Sequence, residues 1–89
     1  MHIRAMNPAP DLLKAARIAL RLSQKDLAEA AGIGERSLSR MEAEPSDQTV
    51  RTQIAVQRAL EAIGVEFLSQ DGDRGPGFRL PAGWYQSDS

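Results

Sequence analysis

The side chains of this chain that could do chemistry are carboxylates, one histidine and basic residues, and their spacing builds no catalytic or metal-binding constellation. The twelve acidic residues have no cysteine to accompany them, and His2, the single histidine, has no second ligand near it in sequence. We therefore predict no catalytic residue, no metal site and no cofactor, and an enzyme is the least favoured class. Gly72, Gly75 and Gly77 match neither glycine-rich phosphate-binding template, and no helix follows them, so we interpret them as turn residues.

Size and composition limit the remaining classes. Eighty-nine residues make one domain with a modest core, and such small domains often gain stability by forming oligomers. The absence of cysteine fits a reducing compartment, no apolar run is long enough to span a membrane, and the N-terminal stretch lacks the apolar segment of a signal peptide. We expect a soluble cytoplasmic protein. Its net charge of -1 lacks the basic excess typical of nucleic-acid-binding domains.

The elements that must position any functional side chain are predicted to be four helices, followed along the chain by a short β-hairpin. Pro8 and Pro10 predict a disordered lead over 1–10. Apolar residues at three- and four-residue steps then predict helices, and a change of period after the fourth helix predicts strands. The predicted helices cover about 11–21, 24–31, 35–43 and 48–63; the strands cover 65–68 and 78–80, around the turn-rich 71–77 and before a tail over 81–89. The sequence predicts an all-α domain over 11–64 followed by a β-hairpin over 65–80.

The second and third predicted helices are separated by about three residues, which is the spacing of a helix-turn-helix. Ser23, with an acidic residue three positions on, resembles a capping box at the start of the second helix. Gly32 follows that helix where a left-handed residue commonly ends one. Ala28 must be small because the two helices cross there, and Ile33 and Leu38 must fill the wedge between them. The outer face of the third helix is then free to enter a DNA major groove.

A set of spaced residues over about 11–64 resembles the Cro/C1-type (Xre) helix-turn-helix family. The residues that carry the resemblance are Arg17, Leu20, Ser23, Gln24, Leu27, Ala28, Gly32, Ile33, Leu38, Ser39, Met41 and Glu42. The resemblance implies a bundle of four or five short helices and a protein that binds operator DNA as a homodimer. It also implies an internal salt bridge between Arg17 in the first helix and Glu42 in the third.

The resemblance assigns DNA contacts residue by residue. Gln24 matches a glutamine that contacts the DNA backbone and supports the reading helix, while Lys25 and Arg21 are placed to meet phosphates. Arg36 and Arg40 fall where the third helix meets base edges, and an arginine there can bind guanine O6 and N7 with two hydrogen bonds. The full set of implied DNA-binding residues is Arg21, Gln24, Lys25, Gly34, Glu35, Arg36, Ser37, Ser39 and Arg40.

Three positions depart from the family's pattern. Gly34 stands where the family usually has Ser or Thr, so the third helix loses a side-chain N-cap. Glu35 places a carboxylate at the groove-facing tip, where it repels phosphates unless it accepts a hydrogen bond from a cytosine amine. Glu44 stands where the family commonly has Gly. Residues 11–45 carry six basic and six acidic side chains, so this region lacks a basic excess.

Two functional hypotheses follow. In the first, the protein is a DNA-binding transcriptional regulator, a repressor rather than an activator, that binds double-stranded DNA as a homodimer. In the second, the helix-turn-helix shape is kept but the outer face binds a protein, as in an antiactivator or adaptor that sequesters a transcription factor. The even charge count and Glu35 favour the second hypothesis, and the arginines at 36 and 40 favour the first.

The predicted hairpin also has two interpretations. It could cover the helical core with Phe67 and Phe78, or its open strand edges could pair with a second copy of the chain. Trp84 and Tyr85 in the tail could anchor a partner, because large aromatic side chains are frequent at the centres of interfaces.

Overall fold

The computed structural model describes residues 8–44 and 50–84. Within them the chain forms four helices and a two-stranded antiparallel sheet, as the sequence predicts. The helices are α1 (Pro10–Ala19), α2 (Gln24–Ala31), α3 (Glu35–Ala43) and α4 (Val50–Ile63), and the strands are β1 (Glu66–Leu68) and β2 (Gly77–Arg79). The expected start of the fourth helix at 48 and residues 85–89 of the expected tail lie outside the described residues.

The first helix begins and ends earlier than its apolar stripe predicts. Pro10 is the first residue of α1, a position that suits proline because the first helical N–H has no partner. Pro8 is already buried, so the expected unstructured lead over 1–10 does not extend through residues 8–10. The helix ends at Ala19 rather than near 21 because Arg21 adopts a left-handed conformation with φ of 62°.

The core is one cluster that all six elements share. Helix α4 packs against α1, α2 and α3, and its Val56 and Leu60 are fully buried. The fully buried side chains with the largest volumes are Phe67, Leu13, Leu27, Leu38, Met41, Leu60 and Val56. Burial of these groups supplies the apolar driving force that holds the short helices together.

The hairpin covers one side of the helical core. Phe67 of β1 is fully buried, Phe78 of β2 packs against the same cluster, and the two ring centroids lie 6.2 Å apart in an edge-to-face arrangement. The two strands pair with Phe67 opposite Phe78, and β2 contacts α1. The interpretation of the hairpin as a lid on the core is therefore confirmed, while its role as a dimer contact stays a prediction.

Strand β1 begins one residue later than predicted, and β2 begins and ends one residue earlier than predicted. Val65 is buried but precedes the first paired residue, and Leu80 packs against the core just after the last one. Apolar character placed Val65 and Leu80 in the predicted strands although they lie outside the ladder, and it missed Gly77, which pairs with Leu68. Gly64, at the end of α4, has a φ of 120°, and a Cβ there would lie 2.7 Å from Cβ of Pro81. This close approach brings the chain after β2 against the end of α4.

Candidate nucleic-acid interface

The turn between α2 and α3 is built by local hydrogen bonds that the sequence predicts. Ser23 Oγ accepts a hydrogen bond from the backbone N–H of Asp26 at 2.9 Å, which caps α2. Gly32 ends α2 in a left-handed conformation with φ of 71°. The N–H of Ile33 then donates to the carbonyl of Ala28 at 3.0 Å, which closes a Schellman-type end. These bonds fix the direction in which α3 leaves the turn.

Helix α3 has one buried side and one exposed side. Leu38 and Met41 are buried against the core, with Ile33 half-buried beside them, so the wedge between the helices is filled as expected. Arg36 and Arg40 are exposed, and each lies two positions from Leu38. At 3.6 residues per turn this places both arginines about 200° around the helix from Leu38. They stand at the centre of the outer face of α3.

The two arginines have no counter-charge among the described residues. The side chain of neither arginine forms a hydrogen bond or an ion pair within residues 8–44 and 50–84. Their i, i+4 spacing puts two positive charges side by side, which destabilises a helix by a few tenths of a kcal/mol. Their charges therefore add no ion pair to the described part of the fold, and an external anion would satisfy both side chains.

The N-terminus of α3 lacks a side-chain cap. Gly34 is the N-cap residue with an extended backbone, and no side chain accepts a hydrogen bond from the first-turn N–H groups. Glu35 is exposed in the first turn, where its negative charge interacts favourably with the helix dipole. The departure of Gly34 from the family's pattern thus has the predicted structural consequence, and Glu35 partly compensates for it.

A buried network ties α1 to α3 behind this face. Arg17 Nε donates to Oε2 of Glu42 at 2.7 Å and Arg17 Nη2 donates to Oε1 at 2.9 Å, which confirms the implied salt bridge. Arg17 Nη1 also donates to the carbonyl of Leu22 at 2.8 Å. Burial alone would raise the pKa of Glu42, but hydrogen bonds from Arg17 and Gln24 and the charges of Arg17 and Lys14 hold that pKa below its usual value.

Gln24 belongs to the same network, which the sequence did not predict. Its amide nitrogen donates to Oε1 of Glu42 at 2.9 Å. The two residues are eighteen positions apart, so no local spacing reveals the contact. The bond links the first residue of α2 to α3 and orients the Gln24 side chain, whose second amide hydrogen and oxygen are not used by Glu42.

The other residues of the implied DNA-binding set lie in two groups. Gly34, Glu35, Arg36, Ser37 and Arg40 are exposed along α3 or at its start, and Ser39 is half-buried there. Arg21 and Lys25 are exposed at the corner between α1 and α2.

Comparison with known families assigns the chain to a family. A family model described as helix-turn-helix matches residues 13–68, which is more than half of the chain. The chain belongs to the Cro/C1-type helix-turn-helix family. Comparisons with curated proteins and with solved structures gave no significant match.

Members of this helix-turn-helix family are DNA-binding transcription regulators, and the class is generally non-enzymatic. No group of acidic or histidine side chains in the described parts of this helix-turn-helix protein is arranged to hold a metal ion. None of its described helices is long and apolar enough to cross a membrane.

Proposed function

We propose that the protein is a cytoplasmic transcriptional repressor that binds an operator in double-stranded DNA as a homodimer, with α3 in the major groove. The observation that carries the proposal is the pair Arg36 and Arg40, which project from the outer face of α3 without a counter-charge among the described residues. Repression requires only that the bound protein exclude polymerase from the promoter.

Base reading is assigned to the arginines. A guanidinium in the major groove can donate two hydrogen bonds to O6 and N7 of guanine, and each such pair discriminates against other bases by about 1–3 kcal/mol. Because Leu38 and Met41 fix α3 against the core, the arginines project from a rigid helix. Ser37 and Ser39 lie beside them and can donate to bases or phosphates.

Positioning on the DNA backbone is assigned to Gln24, Lys25 and Arg21. Gln24 is oriented by Glu42 and has donor capacity left for a phosphate oxygen. Lys25 is exposed one residue further along α2. Phosphate contacts of this kind set the register of the domain without reading sequence.

The homodimer is proposed on the family resemblance and on the open edges of the two-stranded sheet. Among the described residues, strands β1 and β2 pair with each other and with no third strand, so each leaves one edge to which a symmetry mate can add. Light scattering during gel filtration tests this point. We expect the free protein to have the mass of two chains at micromolar concentration. A complex that contains one protein chain per operator duplex at saturation would contradict the homodimer.

The operator is found by selection. Immobilised protein is incubated with a random DNA pool, bound fragments are amplified through several cycles, and the enriched pool is sequenced. We expect enrichment of one inverted repeat that contains guanines in each half-site, because Arg36 and Arg40 read guanine in both subunits. Failure of any sequence to enrich, with the protein folded, would contradict the proposal.

A second candidate, a protein-binding antiactivator or adaptor, is favoured by Glu35 and by the equal numbers of acidic and basic residues over 11–45. A DNA binder loses affinity steeply with added salt, whereas a protein-binding domain with this face has no measurable affinity for DNA. Titration of labelled duplex DNA at about 50 mM salt separates the two, since non-specific binding is strongest at low salt. No binding there would favour the protein-binding candidate.

A further inference from the structure

Helix α1 ends on a residue whose backbone favours glycine. Arg21 has φ of 62° and is the one non-glycine residue with positive φ in the described parts of the chain. Its N–H donates to the carbonyl of Ile18 at 3.0 Å, and the N–H of Leu22 donates to the carbonyl of Arg17 at 3.1 Å. This is the pair of hydrogen bonds that defines a Schellman motif, with Arg21 at its left-handed position.

The end of α2 shows the same motif with the usual residue. Gly32 has φ of 71°, its N–H donates to the carbonyl of Glu29 at 3.2 Å, and the N–H of Ile33 donates to the carbonyl of Ala28 at 3.0 Å. In any residue that has a Cβ, a left-handed backbone conformation brings the Cβ close to the carbonyl oxygen that follows it in the chain. Position 21 therefore holds an arginine where a glycine would relieve strain.

The strained residue lies at a corner that is held rigidly. Arg17 Nη1 donates to the carbonyl of Leu22 at 2.8 Å, and the other donors of Arg17 are bound by Glu42. The guanidinium of Arg17 is thus hydrogen-bonded within the fold. Arg21 and Lys25, both exposed, are the basic side chains that this corner presents to its surroundings.

We propose that Arg21 is a DNA-phosphate contact retained at the expense of folding stability, so that glycine at this position gives a more stable domain that binds DNA less tightly. Backbone strain concentrates at functional residues because selection for function outweighs its cost. The inference rests on the proposed function, since it requires that the outer face of α3 bind DNA. It deepens that proposal by identifying a residue that serves binding against the preference of the fold.

Three substitutions separate the charge of Arg21 from its backbone strain. R21G removes both the charge and the strain, R21A removes the charge and keeps the strain, and R21K keeps both. R58A serves as the control, because Arg58 is an exposed arginine on α4, which is not one of the two helices of the helix-turn-helix. Each protein is measured for its melting temperature and for its affinity for a labelled DNA duplex at several salt concentrations.

DNA affinity should depend on the positive charge at position 21, and the melting temperature should depend on whether the residue there can adopt a left-handed backbone without strain. Loss of one phosphate contact in each subunit of the homodimer makes the slope of log K against log[salt] shallower by about 1.8 and lowers affinity roughly 25- to 100-fold at 0.1 M salt. We expect that loss in both R21G and R21A, and near wild-type binding in R21K and R58A. The melting temperature of R21G should exceed that of R21A by roughly 4–8 °C in a domain of this size.

The outcomes distinguish this inference from the proposed function. If the wild-type protein binds DNA and R21G and R21A bind with unchanged affinity and slope, the inference is overturned and the proposed function stands. If R21G is no more stable than R21A, the strain is absent and the inference is likewise overturned. If the wild-type protein does not bind DNA at low salt, the proposed function fails and the inference fails with it.

Discussion

Arg17 Nε lies 2.7 Å from Oε2 of Glu42, and this contact joins α1 to α3. The side chain of Arg17 is 13% exposed and that of Glu42 is 3% exposed, so water screens the pair weakly. Gln24 donates to the same carboxylate, which places the start of α2 in the network as well. The carboxylate of Glu42 therefore links α1, α2 and α3.

Removing either partner of this pair should be costly, whereas removing both should not. E42A leaves the Arg17 guanidinium without its carboxylate in a poorly solvated site, and we expect it to lower the free energy of unfolding by about 3 kcal/mol. The double variant R17M/E42L replaces the pair with apolar side chains and should recover most of that loss. Urea unfolding at pH 7 measures both.

R58A serves as the matched control, because it removes an exposed arginine from α4. It should change the free energy of unfolding by less than about 0.5 kcal/mol. A single variant E42A as stable as the wild type would show that the network contributes nothing to the fold.

The same carboxylate predicts how stability depends on pH. The pKa of Glu42 in the folded protein is below its usual value of 4.5, so the folded state favours the ionised form. Its contribution is complete above the unfolded pKa and is lost as the pH falls through the folded pKa. We expect the stability difference between wild type and E42Q to be constant from pH 7 to about 5.5 and to shrink below about 4.5.

Urea unfolding at a series of pH values follows that difference, and the wild-type curve alone is not sufficient because other carboxylates also titrate. A difference between wild type and E42Q that stays constant down to about pH 3 would contradict the lowered pKa.

Two glycines flank the turn between α2 and α3, and they should respond oppositely to an added side chain. Gly34 has φ of -72° and ψ of 148°, and a Cβ there meets no atom within 4 Å. G34S supplies the missing N-cap of α3 and should stabilise the domain by about 0.3–1 kcal/mol. Gly32 has positive φ, and G32A should destabilise the domain by about 1 kcal/mol. Thermal unfolding of the two variants checks the signs, and stabilisation by G32A would contradict the account of the turn.

Local signals explain how much of this fold the sequence predicts. The start of α2 follows from Ser23 and its end follows from Gly32, because caps are set by residues within one turn of the helix end. The end of α1 could not be predicted in this way, since Arg21 carries no turn signal although it adopts a left-handed conformation. The helix therefore stops at Ala19 while its apolar stripe continues to Leu20.

Long-range contacts needed more than local patterns. The bridge between Arg17 and Glu42 was accessible only through the resemblance to a family, because the two residues are twenty-five positions apart. The bond from Gln24 to Glu42 was not predicted at all. The outer face of α3 was predicted from the positions of the buried Leu38 and Met41, since helical periodicity places the remaining side chains opposite them.

Glu35 should tune the selectivity of the reading face. Its carboxylate repels phosphates and can accept a hydrogen bond from the N4 amine of cytosine. E35Q should therefore raise affinity for unrelated DNA roughly two- to fivefold. It should also weaken the preference for cytosine at the base pair that faces the N-terminus of α3. Competition binding with operator variants measures both effects, and an unchanged preference together with unchanged non-specific affinity would remove Glu35 from the interface.

The central claim, that α3 reads DNA through Arg36 and Arg40, is tested most directly by equilibrium binding of R36A, R40A and R58A to the selected operator, followed by fluorescence anisotropy. Circular dichroism should show the same helical content in all three variants, because each changed side chain is exposed. We predict that R36A and R40A each weaken operator binding by the homodimer roughly 30-fold or more, because each substitution removes one arginine–guanine pair, worth about 1–3 kcal/mol, from both half-sites, while R58A stays within about twofold of wild type. Wild-type affinity in both R36A and R40A would contradict the claim.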